Sequence, residues 1–176
     1  LFDIHPLFKL IVQIFSTILM ILATGEIIHT IAYLPDANTI NLNWGGNIIT
    51  VIAVVGLINA FNMIDGIDGL AGTQSILSIL LMMLTFTFLS QDIPYQIFMT
   101  IFLGAVIGFL LVNLKIIPGQ KIFLGDTGSM LLGFCLAWML IIMSQKPSSN
   151  QLPPSMALWL VAVPVIDTLV ISFNRA

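Results

Sequence analysis

The chain has 176 residues, of which 59% are hydrophobic and only 7% charged, and a formal net charge of −3; its mean hydropathy is +1.10. A soluble domain carries about 25% charged residues, so this composition cannot cover a water-soluble globule and points to an integral membrane protein. There is no basic run and no basic–aromatic interleaving, which excludes a nucleic-acid partner. Cys135 is the one cysteine and lies in an apolar run, where it reads as a small core hydrophobe.

Six apolar segments are legible, near Leu7–Ala32, Ile48–Phe61, Ile76–Leu89, Ile97–Leu114, Met130–Met143 and Met156–Phe173. A membrane-crossing helix needs about 20 apolar residues. The second, third and fifth cores reach that length only by including the flanks 42–46, 70–75 and 125–129, so residues of polar motifs are expected at helix ends. No segment alternates with period two, which disfavours a β-barrel. The fold class expected is an all-α polytopic membrane bundle of about six transmembrane helices, forming one domain over residues 1–176.

Alternating the segments across a bilayer puts the start of the chain, Gly66, residues 119–127 and the C-terminal end on one side. Residues 35–47, Gln91 and residues 146–155 fall on the other. Lys9, Lys115, Lys121 and Arg175 lie on the first side and Lys146 alone on the second, so the first side is expected to be cytoplasmic. Trp44 and Trp159 fit interfacial anchors of the opposite face.

The polar residues gather on that first side. Asp65 and Asp68 are three apart; on a helix both carboxylates would share one face, about 5–6 Å apart at Cβ, and each would raise the other's pKa or call for a cation. Asn59 and Asn62 add amides one turn earlier, and Gly66 and Gly69 leave room for a ligand to approach the backbone. Gly125-Asp126-Thr127-Gly128-Ser129 precedes the fifth span. There Asp126 or Thr127 is a candidate N-cap and the helix start a candidate phosphate seat. Alternatively, Asp126 could hold Mg²⁺, which binds through one or two carboxylates and phosphate oxygens. Phe123 is an aromatic in a polar loop, available to stack on a ring or to anchor in the membrane. Asp167 is an acid inside the last span and a functional candidate on that ground. Glu26 and His29 read as a local polar pair near the far end of the first span, facing neighbouring helices. A transporter would place its ionisable groups near the bilayer midplane; here most acids sit at one face, which disfavours transport, leaving it and an inactive membrane fragment as alternatives.

Residues 59–69, Asn59-Ala60-Phe61-Asn62-Met63-Ile64-Asp65-Gly66-Ile67-Asp68-Gly69, together with Lys121-Ile122-Phe123-Leu124-Gly125-Asp126-Thr127-Gly128-Ser129, resemble the polyprenyl-phosphate N-acetylhexosamine-1-phosphate transferases, the WecA/MraY family. The Asn-Ala-Phe-Asn-Met form and the Pro-Val-Ile-Asp-Thr segment around Asp167 lean toward the WecA-like branch, which uses UDP-N-acetylglucosamine. The resemblance implies transfer of a sugar 1-phosphate from a UDP-sugar to undecaprenyl phosphate with release of UMP. It also implies Mg²⁺ as cofactor (Mn²⁺ as a possible substitute) and a site on the cytoplasmic face of the bacterial inner membrane. Partners implied are the two substrates, the bilayer and, optionally, a second copy of the chain. By position, Asp126 corresponds to the metal-ligating acid, and Asn62, Asp65 and Asp68 to residues around the nucleotide and the catalytic centre. Phe123 corresponds to the aromatic that stacks on uracil and Asn113 to a polar residue near the nucleotide; Asn59, Lys121 and Asp167 are further candidates. Asp3 matches the last position of the family's Asp-Asp-x-x-Asp motif, and a His-x-His-His loop would follow the last span. The chain is therefore expected to be truncated at both ends relative to the family, and inactive as the segment 1–176 alone.

Overall fold

The computed structural model describes residues 5–33, 39–89, 93–117, 119, 122–145 and 153–175. Its elements are α1 (Pro6–Thr24), β1 (Thr30–Tyr33), β2 (Thr39–Asn41), α2 (Gly45–Ile64), α3 (Leu70–Leu89), α4 (Ile93–Asn113), α5 (Gly125–Gln145), α6 (Pro154–Trp159) and α7 (Ala162–Arg175). Five of these helices, α1 to α5, are long and apolar enough to cross a membrane. The short spans grow at their polar flanks as expected: α2, α3 and α5 begin in residues 42–46, 70–75 and 125–129.

The first span is shorter than its apolar run. Pro6 opens α1 at a position where its missing N–H is no loss, and the His5 imidazole caps it by accepting from the Leu7 N–H at 3.3 Å. Gly25 then ends it in a left-handed conformation (φ 72°), donating to the Ile21 carbonyl. Glu26 and His29 consequently lie beyond the helix, and the apolar residues after them form a two-stranded antiparallel hairpin, Thr30 opposite Asn41 and Tyr33 opposite Thr39. Gln145, the last residue of α5, secures this hairpin. Its Oε1 accepts from the His29 and Thr30 backbone N–H groups (2.8 and 3.1 Å), and its Nε2 donates to the Thr30 carbonyl (3.2 Å).

The last span is not one helix. Pro164 has no N–H for the carbonyl four residues earlier, Leu160, and its ring crowds that carbonyl. The path therefore breaks between α6 and α7. The freed Leu160 carbonyl is satisfied from outside the helix, by the Ser78 hydroxyl of α3 at 2.8 Å. The membrane interior requires some such partner.

The α2–α5 pair forms the centre. In lipid, helices associate through close packing rather than through the hydrophobic effect, and here glycine makes the closest approach: a Cβ at Gly133 of α5 would stand 2.7 Å from Ile58 Cα of α2. Val54, Leu57, Ile58 and Phe61 of α2 are buried against Leu132, Leu136, Met139 and Leu140 of α5. α7 packs on α2, and α3 on α4 and α5. The Phe86–Tyr95 and Phe98–Trp138 ring pairs, with centroids 5.9 and 6.3 Å apart, tie α4 to α3 and α5. α1 rests on α2 through the buried stripe Gln13, Thr17 and Met20, and most of the rest of its surface is apolar and exposed.

Candidate active site at one pole of the bundle

The polar motifs converge at one pole, where α2 and α4 end and α3 and α5 begin. Asp65 is the C-cap of α2. Residues 66–69 then turn the chain into α3, so Asp65 and Asp68 do not share a helix face; they flank a turn. Gly69 closes that turn with φ 73°, and a Cβ there would meet Leu114 at 2.8 Å. This glycine thus serves the turn and the packing of α4 rather than the approach of a ligand. Gly66 is exposed and open. Asn62 is half-buried on the last turn of α2, three residues before Asp65.

The N-terminus of α5 faces this turn. Gly125 takes φ 66° and Asp126 lies in the first turn, so neither Asp126 nor Thr127 is the N-cap. The Asp65 carboxylate lies across the helix pair within reach of the Gly125 N–H, a contact that favours its charged form. Partial burial of Asp65 and the nearby negative charges of Asp126 and, less strongly, Asp68 push its pKa above the ordinary carboxylate range, while the Gly125 contact opposes them. Asp126 is itself more than half exposed and forms an ion pair with Lys9 of α1, whose side chain is 31% exposed.

Asn113, buried at the last turn of α4, donates from Nδ2 to the Ile122 carbonyl at 2.7 Å. It thereby holds the segment that carries Phe123 and leads into α5. Its Oδ1 is buried without a partner. Phe123 is 68% exposed. Lys115 follows in a left-handed conformation (φ 58°) that turns the chain out of α4. Asn59, two turns before the pole on α2, donates to the Gln13 Oε1 of α1 at 3.0 Å. Asp167 lies along α7, and no hydrogen bond or ion pair joins it to the acids of the pole. Asp3 and Lys121 lie outside the described residues. Among the described residues, no three His, Cys, Asp or Glu side chains converge as a ready metal cage.

The pole thus brings together Asp65, Asp126 and, through electrostatics, Asp68, and it adds two residues that the motifs did not indicate. Lys9 entered the sequence reading only as a charge that sets sidedness, and Gln13 did not enter it. Their signal was available: Lys9 and Gln13 are four apart, on one face of a largely apolar helix.

Away from the pole, α2, α5, α6 and α7 line an open apolar pocket of about 390 Å³. Ala53, Leu57, Ala137, Ile141, Val165 and Leu169 are among its walls.

The model of the family described as glycosyl transferase family 4 matches residues 1–144. A Pasteurella multocida protein named undecaprenyl-phosphate alpha-N-acetylglucosaminyl 1-phosphate transferase is 37% identical over 86 residues, 48% of this chain and 23% of the relative. Proteins of the same name from Haemophilus influenzae (37% over 73 residues, 40% of this chain and 20% of the relative) and Escherichia coli K12 (34% over 74 residues, 42% and 20%) are similar too. The matched stretches thus span about a fifth of these relatives. With the family model covering most of its length and the two long motifs meeting at one pole of an apolar helical bundle, the chain belongs to glycosyl transferase family 4.

Proposed function

We propose that this chain carries a large part of the site of an enzyme that transfers N-acetylglucosamine 1-phosphate from UDP-N-acetylglucosamine to undecaprenyl phosphate. The site would face the cytoplasm from the bacterial inner membrane. The observation that carries this reading is the pairing of Asp65 with the start of α5 beside the Asp126–Lys9 ion pair. It creates a mixed-charge centre at the depth where a lipid phosphate would lie. An oxygen of the lipid phosphate attacks the β-phosphorus of the UDP-sugar, the bond from that phosphorus to the bridging oxygen breaks, and UMP leaves. Both reactants are anions, so positioning and charge neutralisation are the main tasks of the protein.

Mg²⁺ fits the donor set. Asp65 and Asp126 are close enough for their charges to repel, and a cation, the Lys9 ammonium, already sits on Asp126. Mg²⁺ takes one or two carboxylates and completes its shell with water and phosphate oxygens, so it needs no three-acid cage. Asp126, with Asp65 beside it, would hold it, and it would neutralise phosphate charge and align the two substrates. Asp65, with its raised pKa, suits a group that takes a proton from the lipid phosphate. Phe123 offers an exposed ring to the uracil, and Asn113 sets the segment that presents it. The apolar pocket along α2, α5 and α7 would lodge part of the prenyl chain.

The test is an assay of the full-length protein with UDP-N-acetylglucosamine, undecaprenyl phosphate and Mg²⁺, reading lipid-linked sugar phosphate and UMP by mass spectrometry. Asp126→Asn is expected to abolish turnover while the protein stays folded, because an exposed ion pair contributes at most about 1 kcal/mol to stability. Turnover retained in Asp126→Asn would refute the metal role, and no product from the wild type would refute the function.

A further inference from the structure

The Lys9–Asp126 pair depends on where α1 stands, and one contact determines that. α1 lies on α2 through Gln13, Thr17 and Met20. Met20 offers only dispersion contacts, which tolerate sliding. The Thr17 hydroxyl is spent within its own helix, donating to the Gln13 carbonyl at 2.8 Å. Gln13 makes the directional contact: its Oε1 accepts from Asn59 Nδ2 at 3.0 Å and its Nε2 donates to Asn59 Oδ1 at 3.4 Å. Asn59 is itself tethered, because Nδ2 also donates to the Val55 carbonyl at 2.8 Å. Gln13 is 5% exposed, so this amide pair is shielded from competing water.

We propose that Gln13 is a positioning residue: paired with Asn59, it fixes the height and rotation of α1 and so delivers the Lys9 ammonium to Asp126. Lys9 is four residues before Gln13, one helical turn closer to the pole and on the same face. A slip of one residue would rotate α1 by about 100° and shift it by about 1.5 Å, carrying Lys9 off the Asp126 carboxylate. Without Lys9 in place, the acids of the pole would present their charge uncompensated to two anionic substrates. The catalytic consequence rests on the transferase reading above; the geometric one does not.

Two readouts in the full-length protein test it. Gln13→Met keeps the size of the side chain and removes its hydrogen bonds. The first readout is acylation of Lys9 by an N-hydroxysuccinimide ester, followed by mass spectrometry with exposed Lys115 as internal reference. Released from Asp126, Lys9 is expected to react about threefold faster or more, given how little an exposed ion pair resists opening. The second is turnover. Gln13→Met is expected to lower kcat about tenfold, because a misplacement of about 1 Å is costly at a reacting centre. In a Lys9→Met background the same change should add less than about twofold, since residues acting through one another are not additive. The exchange Gln13→Asn with Asn59→Gln should recover much of the loss, which a general loosening of the bundle would not allow. If Gln13→Met does not fold, Gln13→Asn alone, shorter by one methylene, enters the same labelling comparison. Unchanged Lys9 labelling, or losses that add in the double variant, would overturn the proposal. A wild type without turnover would refute the transferase reading alone, and the labelling would still decide the positioning.

Discussion

Gly133→Ala probes the contact on which the pole is built. The new methyl carbon would lie 2.7 Å from Ile58 Cα, 2.9 Å from the Leu57 carbonyl oxygen and 3.1 Å from Ile58 N. All three are backbone atoms, so no rotamer change relieves them. Ordinary contact begins near 3.4 Å, so α5 and α2 must separate locally by about 0.7 Å. Overpacking of this kind costs about 1–3 kcal/mol. The effect extends to the pole, because Ile58 is seven residues before Asp65 and Gly133 seven after Asp126, two turns in each case. A wedge there pushes Asp65 and the start of α5 apart from both sides, and activity should fall between about tenfold and a hundredfold. The assay is thermal unfolding of the full-length protein in detergent, alongside turnover. Gly104→Ala on α4 is the control: nothing lies within 4 Å of a Cβ there, and alanine is the better helix former. A Gly133→Ala protein with the melting temperature and activity of the wild type would refute the argument, as would an equal loss in Gly104→Ala.

Two further substitutions separate structural from chemical roles. The raised pKa of Asp65 means that the folded protein binds its proton more tightly than the unfolded chain does, so its contribution to stability falls as pH rises from the ordinary carboxylate range through the folded-state value. Asp65→Asn removes that penalty, and an amide oxygen can still face the Gly125 N–H. The variant should therefore show a flatter melting-temperature profile as pH rises above the ordinary carboxylate range, with turnover lost; a steeper profile would contradict the assigned direction. Ser78→Ala leaves the Leu160 carbonyl without its partner and should lower stability by about 0.5–1.5 kcal/mol. Ser75→Ala, whose hydroxyl bonds only within its own helix to the Ala71 carbonyl, should be near neutral. Equal melting temperatures for the two would show that the break between α6 and α7 is not supported from α3.

The class of fold and the gathering of Asp65, Asp68 and Asp126 were legible because hydropathy and the cost of burying charge act locally along the chain. What was missed depends on groups brought together from afar or on the backbone. The apolar run 7–32 hides its end because Gly25 terminates a helix by conformation, not by polarity. Pro164 is visible in the sequence, but a hydropathy pattern does not register a missing N–H; the break becomes intelligible only once Ser78 is found opposite Leu160. Asp65 and Asp68 keep their proximity although they sit on a turn instead of a helix face, because three residues are close in either conformation. Spacing within one segment could not reveal that Asp65 faces the start of α5, since Gly125 is sixty residues away.

These exceptions share a cause. Inside the bilayer each helix must satisfy its own backbone, so unsatisfied N–H and carbonyl groups occur only at helix ends and breaks. A site for anionic substrates in such a protein has to be assembled from ends. Here the C-terminus of α2 contributes Asp65, the start of α5 contributes Gly125 and Asp126, the end of α4 contributes Asn113, and the start of α1 contributes Lys9. The helices α2 and α5 meet through Gly133 with backbone against backbone, which leaves little freedom between Asp65 and Asp126. α1 meets α2 along the stripe Gln13, Thr17 and Met20, whose directional contact is the Gln13–Asn59 amide pair, so Lys9 is placed against Asp126 through a second interface. The acids and the ammonium are therefore positioned by different helix contacts, the acids by the packing of α2 on α5 and the ammonium by α1.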